Sequence, residues 1–178
     1  MKSKFCLDDE DVRKAFSLIK STIFETFVQC FQFKILNDIT FTNFLLAKIG
    51  LIPSDLCTFC NSFPETIDHL FFECFYSSKF WEQLESYWSM LSLEQREINL
   101  KTVLIGVIDT KCDLLNYLIV LGKLHLWNCH RNNILPFFPS FEEFVKRKFK
   151  VEQLIAAKHN CTKMLKAKWK PFLEKNNL

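Results

Sequence analysis

Residues 57–74 read CTFCNSFPETIDHLFFEC. The order is Cys57, two residues, Cys60, eight residues, His69, four residues, Cys74. A structural zinc site takes four nitrogen or sulfur ligands in a tetrahedron. Cys57 and Cys60 sit at the spacing of a tight turn that points both sulfurs at one ion. His69 and Cys74, five positions apart, can converge from a short helix, TIDHLFFEC, and the turn after it. Between the halves, Asn61, Ser62 and Pro64 suit a reversing loop. The bland alternative makes these four residues buried small side chains that fall together by chance. The spacing argues against it and predicts one structural Zn2+ on Cys57, Cys60, His69 and Cys74. With all four positions filled by protein, no open site is left for water, so the expected role is structural and not catalytic.

Outward from this loop the signals are helical. With 49% apolar and 15% aromatic residues, the 178-residue chain has material for a core and is not read as disordered. Its 3 Gly and 5 Pro supply little turn chemistry for a many-stranded sheet, which favours helices. The most apolar stretch, DLLNYLIVLGKLHLW at 113–127, is interrupted by Asn116 and Lys123, so no membrane span is expected. The start, MKSKFCLDDEDVRK, meets acid instead of an apolar run, so a secretory signal is not expected either. An intracellular location follows, nuclear and/or cytoplasmic, where thiols stay reduced and a Cys/His cluster reads as metal before disulfide.

Residues 8–39, DDEDVRKAFSLIKSTIFETFVQCFQFKILNDI, read as one long helix or two stacked ones. Val12, Phe16, Ile19, Ile23, Phe27, Phe31 and Ile35 recur at the helical period, and Asp8, Asp9, Glu10 and Asp11 suit a helix N-terminus. TNFLLAKIG (42–50) reads as a short helix ended by Gly50 in a left-handed turn. In SSKFWEQLESYWSML (77–91), Phe80, Trp81, Leu84, Tyr87, Trp88 and Leu91 form one side, with Ser77 or Ser78 as cap. NLKTVLIGVID (99–109) is ambiguous between a strand and a helix turn. Residues 113–133 read as a central helix, apolar nearly all round. From Ser140, as N-cap of a capping box with Glu143, one long basic helix is expected over 140–175, ended by Pro171. Phe144, Val151, Leu154, Cys161, Leu165 and Trp169 would share its buried face. Cys6, Cys30 and Cys112 read as ordinary buried thiols, and Cys129, His130, His159 and Cys161 as core or boundary residues instead of a second metal site.

The net charge of +3 is unevenly spread. Residues 131–178 carry 11 basic and 4 acidic side chains, whereas residues 1–130 carry 12 and 16. Such asymmetry points to a nucleic-acid contact, against the alternative of a merely solvated lysine-rich face. Phosphate contacts would come from Lys146, Arg147, Lys150, Lys163, Lys166, Lys168 and Lys170. Phe59 and Phe63 on the metal loop are candidate platforms for unpaired bases, although Phe59 could equally pack back onto neighbouring helices. The sequence contains no glycine-rich phosphate loop, no Gly-x-Ser-x-Gly elbow and no adjacent-aspartate polymerase motif, so no enzyme activity is expected of it.

The stretch FQFKILNDITFTNFLLAKIGLIPSDLCTFCNSFPETIDHLFFECFYSSKFW resembles the carboxy-terminal zinc-binding segment of reverse transcriptases from non-LTR retrotransposons, the long interspersed elements. The likeness rests on FQFKIL (Phe31 to Leu36), LCxFC (Leu56 to Cys60), PETxxHLF (Pro64 to Phe71), Cys74, and Phe80 with Trp81, and it continues more weakly over roughly 22–175. The resemblance implies that Cys57, Cys60, His69 and Cys74 bind zinc in a CCHC knuckle. It further implies a segment that helps its polymerase hold the element's RNA during target-primed insertion. Polymerase and endonuclease domains are absent from this chain, which would make it an excised tail or a stand-alone derivative. The gap between Cys60 and His69 is longer than in the retroviral nucleocapsid knuckle, so that knuckle's base-gripping geometry is not carried over.

The expected architecture is therefore all-α, a single helical domain over 1–178 with a zinc knuckle embedded at 51–80 and a basic helix at 140–175. The expected function is zinc-dependent binding of RNA or another single-stranded nucleic acid, beside a reverse transcriptase. A rival reading is a zinc-stapled protein-interaction module docking on a polymerase or other partner. A third is a non-functional element remnant that still folds.

Overall fold

The computed structural model describes residues 8–108 and 112–176. Cys6 and Asp109 lie outside the described residues. The fold is all-α: α1 (Asp9–Thr22), α2 (Thr26–Leu36), α3 (Asn43–Lys48), a π-helical turn (His69–Glu73), α4 (Phe75–Ser92), α5 (Leu100–Ile105), α6 (Asp113–Arg131), α7 (Phe138–Lys158) and α8 (Thr162–Asn176). Among the described residues the sole β pairing is a single bridge between Leu56 and Pro64. No helix among them is long and apolar enough to cross a membrane.

Residues 8–39 form two helices. Asp8 caps α1, its carboxylate accepting from the Asp11 N–H at 2.7 Å, and Asp9, Glu10 and Asp11 fill the first turn. The helix stops at Ile23, whose backbone is extended, and α2 starts after Glu25. Val28, Phe31 and Ile35 face the core, whereas Phe27, expected on the buried face, is 68% exposed. Cys30, expected buried, lies on the exposed side of α2.

The centre is α6. From Leu114 to Leu126 every residue is buried, and α1, α2, α5, α7, α8 and the π-turn all pack against it. The ambiguous segment after Asn99 is the short helix α5, with the Asn99 side chain accepting from the Thr102 N–H. Gly50, at φ 74°, ends α3 as read from the sequence. The cap of α4 differs from expectation. Cys74 occupies that position, and Ser77 sits inside the helix, its hydroxyl donating to the Leu70 carbonyl at 2.6 Å.

The single basic helix expected over 140–175 is two helices, broken at His159–Cys161, where Asn160 adopts φ 55°. Asn tolerates this left-handed conformation better than most residues. Phe137 holds the cap position of α7, with Pro139 in its first turn, so Ser140 is not the N-cap; its hydroxyl donates to the Phe137 carbonyl. The buried face of α7 is Phe141, Val145, Phe149, Glu152 and Ala156, which leaves Val151 and Leu154 exposed. Pro171 lies inside α8 and does not end it. The chain continues because Phe172 is buried against Phe149 and Trp169.

Lys123 is fully buried in α6; its ammonium donates to the Leu104 carbonyl at 3.4 Å, and burial pulls its pKa down to about 7. Above about pH 7 the folded chain has released a proton that the unfolded chain keeps to about pH 10.5, so stability rises with pH across that window. Lys123→Met removes the buried cation while keeping most of the side-chain volume. We expect it to stabilise the protein by roughly 1–4 kcal/mol at pH 7 and to flatten that rise. Urea unfolding at pH 7 and pH 9.5 measures both; a variant as pH-dependent as the parent would contradict the assignment.

Candidate metal centre

The metal loop is a short hairpin followed by a wide helical turn. The Cys57 N–H donates to the Phe63 carbonyl at 2.8 Å, and the Glu65 N–H to the Asp55 carbonyl at 2.7 Å, on either side of the Leu56–Pro64 bridge. Asn61, at φ 51°, makes the reversal that the sequence assigned to this loop. After the hairpin, the Cys74 N–H donates to the His69 carbonyl at 2.9 Å, five residues back. This π-type bond joins the backbones of two of the four candidate ligands. Such turns are rare and concentrate at functional sites.

The structure brings Cys57, Cys60, His69 and Cys74 together, with one ligand atom from each lying within 4.8 Å of all the others. Cys57 Sγ and Cys74 Sγ are 3.9 Å apart, and Cys60 Sγ lies 3.3 Å from His69 Nε2. A disulfide would need about 2.05 Å. Zn–S bonds of about 2.3 Å at tetrahedral angles place two sulfurs about 3.8 Å apart, which is the spacing found. Cys57, His69 and Cys74 are buried and Cys60 partly so. The donor set fits one structural zinc.

Without an ion, the surroundings favour the ligating protonation state at Cys74 and His69 but not at Cys57. The Cys74 pKa is lowered by a hydrogen bond from the Cys57 thiol and by the Tyr76 and Ser77 N–H groups, which outweigh burial. That donation and burial push Cys57 up, while the Cys60 and Phe59 N–H groups aim at its sulfur and oppose the shift. A cation is what would let both sulfurs be thiolates at once. Burial lowers the His69 pKa, keeping the imidazole neutral and able to coordinate.

A support that sequence reasoning missed is Glu65. Its carboxylate is fully buried and accepts from the N–H groups of Asn43 at 2.9 Å and Thr58 at 2.7 Å. His130 Nδ1 lies 3.3 Å from the same carboxylate and 2.9 Å from the Thr58 hydroxyl. Burial pushes the Glu65 pKa upward, but these contacts more than offset it and hold the carboxylate ionised. Glu65 thereby ties the loop to the start of α3 and the end of α6. Its place in the PET tripeptide was the available signal; its partners come from segments 22 and 65 residues away. His130 thus serves the loop instead of a second cluster. His159 is exposed, and Cys129 lies 3.6 Å from His125, whose pKa burial lowers to about 4. Among the described residues, no other group of three or more His, Cys, Asp or Glu side chains converges within metal-binding distance.

Two of the expected nucleic-acid contacts fall elsewhere. Phe59 is 5% exposed and belongs to the core, so it offers no stacking face; Phe63 is exposed, its ring 5.6 Å from that of His69. Lys168 is buried, its ammonium bonded to both Glu152 oxygens and to the Thr22 carbonyl and lying 3.5 Å from the centre of the Tyr117 ring. Burial lowers its pKa to about 8, and the Glu152 carboxylate keeps it charged at neutral pH. It cannot meet phosphate without leaving that pair. Lys146, Arg147, Lys150, Lys163, Lys166 and Lys170 are exposed on α7 and α8. Lys146 pairs with Glu143 at 2.7 Å and Lys170 with Glu174 at 3.7 Å, both at the surface.

The fold and the site define a helical protein with a closed, structural zinc centre. Residues 3–81 match the family described as zinc-binding in reverse transcriptase, a match that includes all four ligands and ends at Trp81. It covers less than half of the chain and reaches neither α7 nor α8. No curated protein and no solved structure matches the chain.

Proposed function

We propose that this chain is a zinc-stapled module that binds single-stranded nucleic acid, RNA foremost, in the manner of the carboxy-terminal segment of a non-LTR retrotransposon reverse transcriptase. In this reading it is an intracellular accessory segment beside a polymerase, with no polymerase or endonuclease active site of its own. The observation that carries the reading is the set of six exposed cations on α7 and α8. On α8, Lys163, Lys166 and Lys170 recur at three and four residues, which makes a stripe along one helical face. Such a stripe follows a phosphate backbone and confers affinity with little sequence choice. The zinc supplies no chemistry to a ligand. It fixes the loop whose exposed Phe63 is available to a base.

The test is RNA affinity at 50 and 200 mM salt for the parent and for Lys163→Glu with Lys166→Glu. Removing one phosphate-binding cation should reduce the slope of log affinity against log salt by about 0.7 for a single strand, so the double variant should drop by about 1.4. Unchanged slope and affinity would remove α8 from the interface.

The rival reading, a docking module for a protein partner, draws on a different surface. Phe33, Phe41, Ile49, Leu51 and Phe75 are all large, apolar and exposed. Binding there would be nearly indifferent to salt, so the same titration separates the two.

A further inference from the structure

A pocket of about 340 Å³ opens between the end of α2, α3 and the residues that lead into His69. Ile35, Leu45, Ile67 and Leu104 supply apolar walls, and Phe44, 41% exposed, lines it as an accessible aromatic ring. Thr40, Thr42 and Thr66 also line it. The Thr40 hydroxyl is buried and has no hydrogen-bond partner. A buried polar atom without a partner is uncommon in a folded protein and costs stability unless something else satisfies it. The remaining lining residues are Asp38, Lys48 and Asp68, one cation against two acids.

These features select a ligand. The single cation and two carboxylates do not favour an anion, so phosphate is not what the pocket holds. Apolar walls beside an aromatic ring suit a flat, uncharged group, and the threonine hydroxyls and carboxylates suit one with polar edges. We infer that this pocket takes an unpaired nucleobase, its face against Phe44 and a polar edge meeting the Thr40 hydroxyl. The inference rests on the nucleic-acid reading and adds a base site to the backbone contacts of α7 and α8. Because Thr66, Ile67 and Asp68 directly precede His69, the zinc also holds this wall in place.

The experiment uses the full zinc-loaded chain and two readouts. The first is affinity for a single-stranded RNA and for the same strand with abasic residues. Phe44→Ala alters a half-open ring, and Thr40→Val keeps the side-chain shape, so neither threatens the fold. Phe44→Ala should weaken binding of the intact strand by roughly five- to a hundred-fold, the range that one stacked base accounts for, Thr40→Val by about two- to tenfold as for one lost hydrogen bond, and both should leave the abasic strand unchanged. The second readout is NMR titration with the uncharged nucleosides adenosine and uridine, where Thr40, Phe44 and Leu104 resonances should shift. Equal affinity for intact and abasic strands, with salt dependence retained, would overturn the base pocket and leave the RNA reading standing. Shifts at these resonances without strand binding would support the pocket and overturn the phosphate contacts. The absence of both shifts and strand binding would overturn both.

Discussion

Replacing Cys57 and Cys60 together by serine should lower the zinc content from one per chain to none and release the region from about residue 52 to residue 80. The effect should be large because, besides the metal, the hairpin between Asp55 and Glu65 is held chiefly by Phe59 in the core and by the Glu65 carboxylate. Its backbone pairing is a single bridge, and exposed Asn61, Ser62 and Phe63 form its tip. Structural zinc contributes about 10–16 kcal/mol of apparent binding energy in small zinc-dependent peptides, several times what a few apolar contacts provide. Once the ligands are gone, Glu65 remains as the anchor to Asn43, Thr58 and His130. That buried carboxylate then depends on a loop with no fixed geometry. The loss should stay local at first, because α4 and α6 retain their own packing through Trp81, Leu84 and Leu121. Elemental analysis gives the zinc content, and hydrogen exchange shows whether protection falls between residues 52 and 80. An unchanged metal content in the variant would sink the ligand assignment.

The sequence disclosed those features that depend on near neighbours. The ligands were legible because a tetrahedral ion imposes spacing on the chain, and Cys57, Cys60, His69 and Cys74 show it within 18 residues. The burial of α4 and α6 was legible because a buried helical face repeats at a fixed period. Features set by distant partners were not legible. The extended turn at Ile23–Glu25 places Phe27 in the first turn of a new helix, where no neighbour covers it although Phe31 and Ile35 keep to the core, and nothing at Phe27 itself announces that it will face outward. Pro171 read as a stop because proline removes a donor and crowds the preceding turn. The burial of Phe172 against Phe149, on the neighbouring helix, carries the chain past it. Lys168 looked like its neighbours Lys163, Lys166 and Lys170. What distinguishes it is Glu152, a residue that the α7 pattern had not placed in the core.

That pair carries the other large expected effect. Glu152 is fully buried and accepts from the Lys168 ammonium at 2.8 and 2.9 Å and from the Trp169 indole N–H at 2.7 Å. Glu152→Ala strands a buried ammonium and an indole donor together, a loss of about 3–5 kcal/mol. For a domain of this size each kcal/mol moves the melting temperature by about 2–4 °C, so the midpoint should fall by roughly 6–20 °C. The exposed pair Lys146–Glu143 provides the contrast, since Glu143→Ala should cost no more than about 1 kcal/mol. Replacing both buried partners, Glu152→Leu with Lys168→Met, removes the charges together and should recover much of the loss. Thermal melts of the parent and these three variants decide the matter: Glu152→Ala melting level with Glu143→Ala would mean the pair is not buried in solution. The same result bears on nucleic-acid binding. A Lys168→Glu variant that loses RNA affinity would do so through unfolding, as two carboxylates face each other in the core, whereas Lys163→Glu and Lys166→Glu should change the salt slope at an unaltered melting temperature.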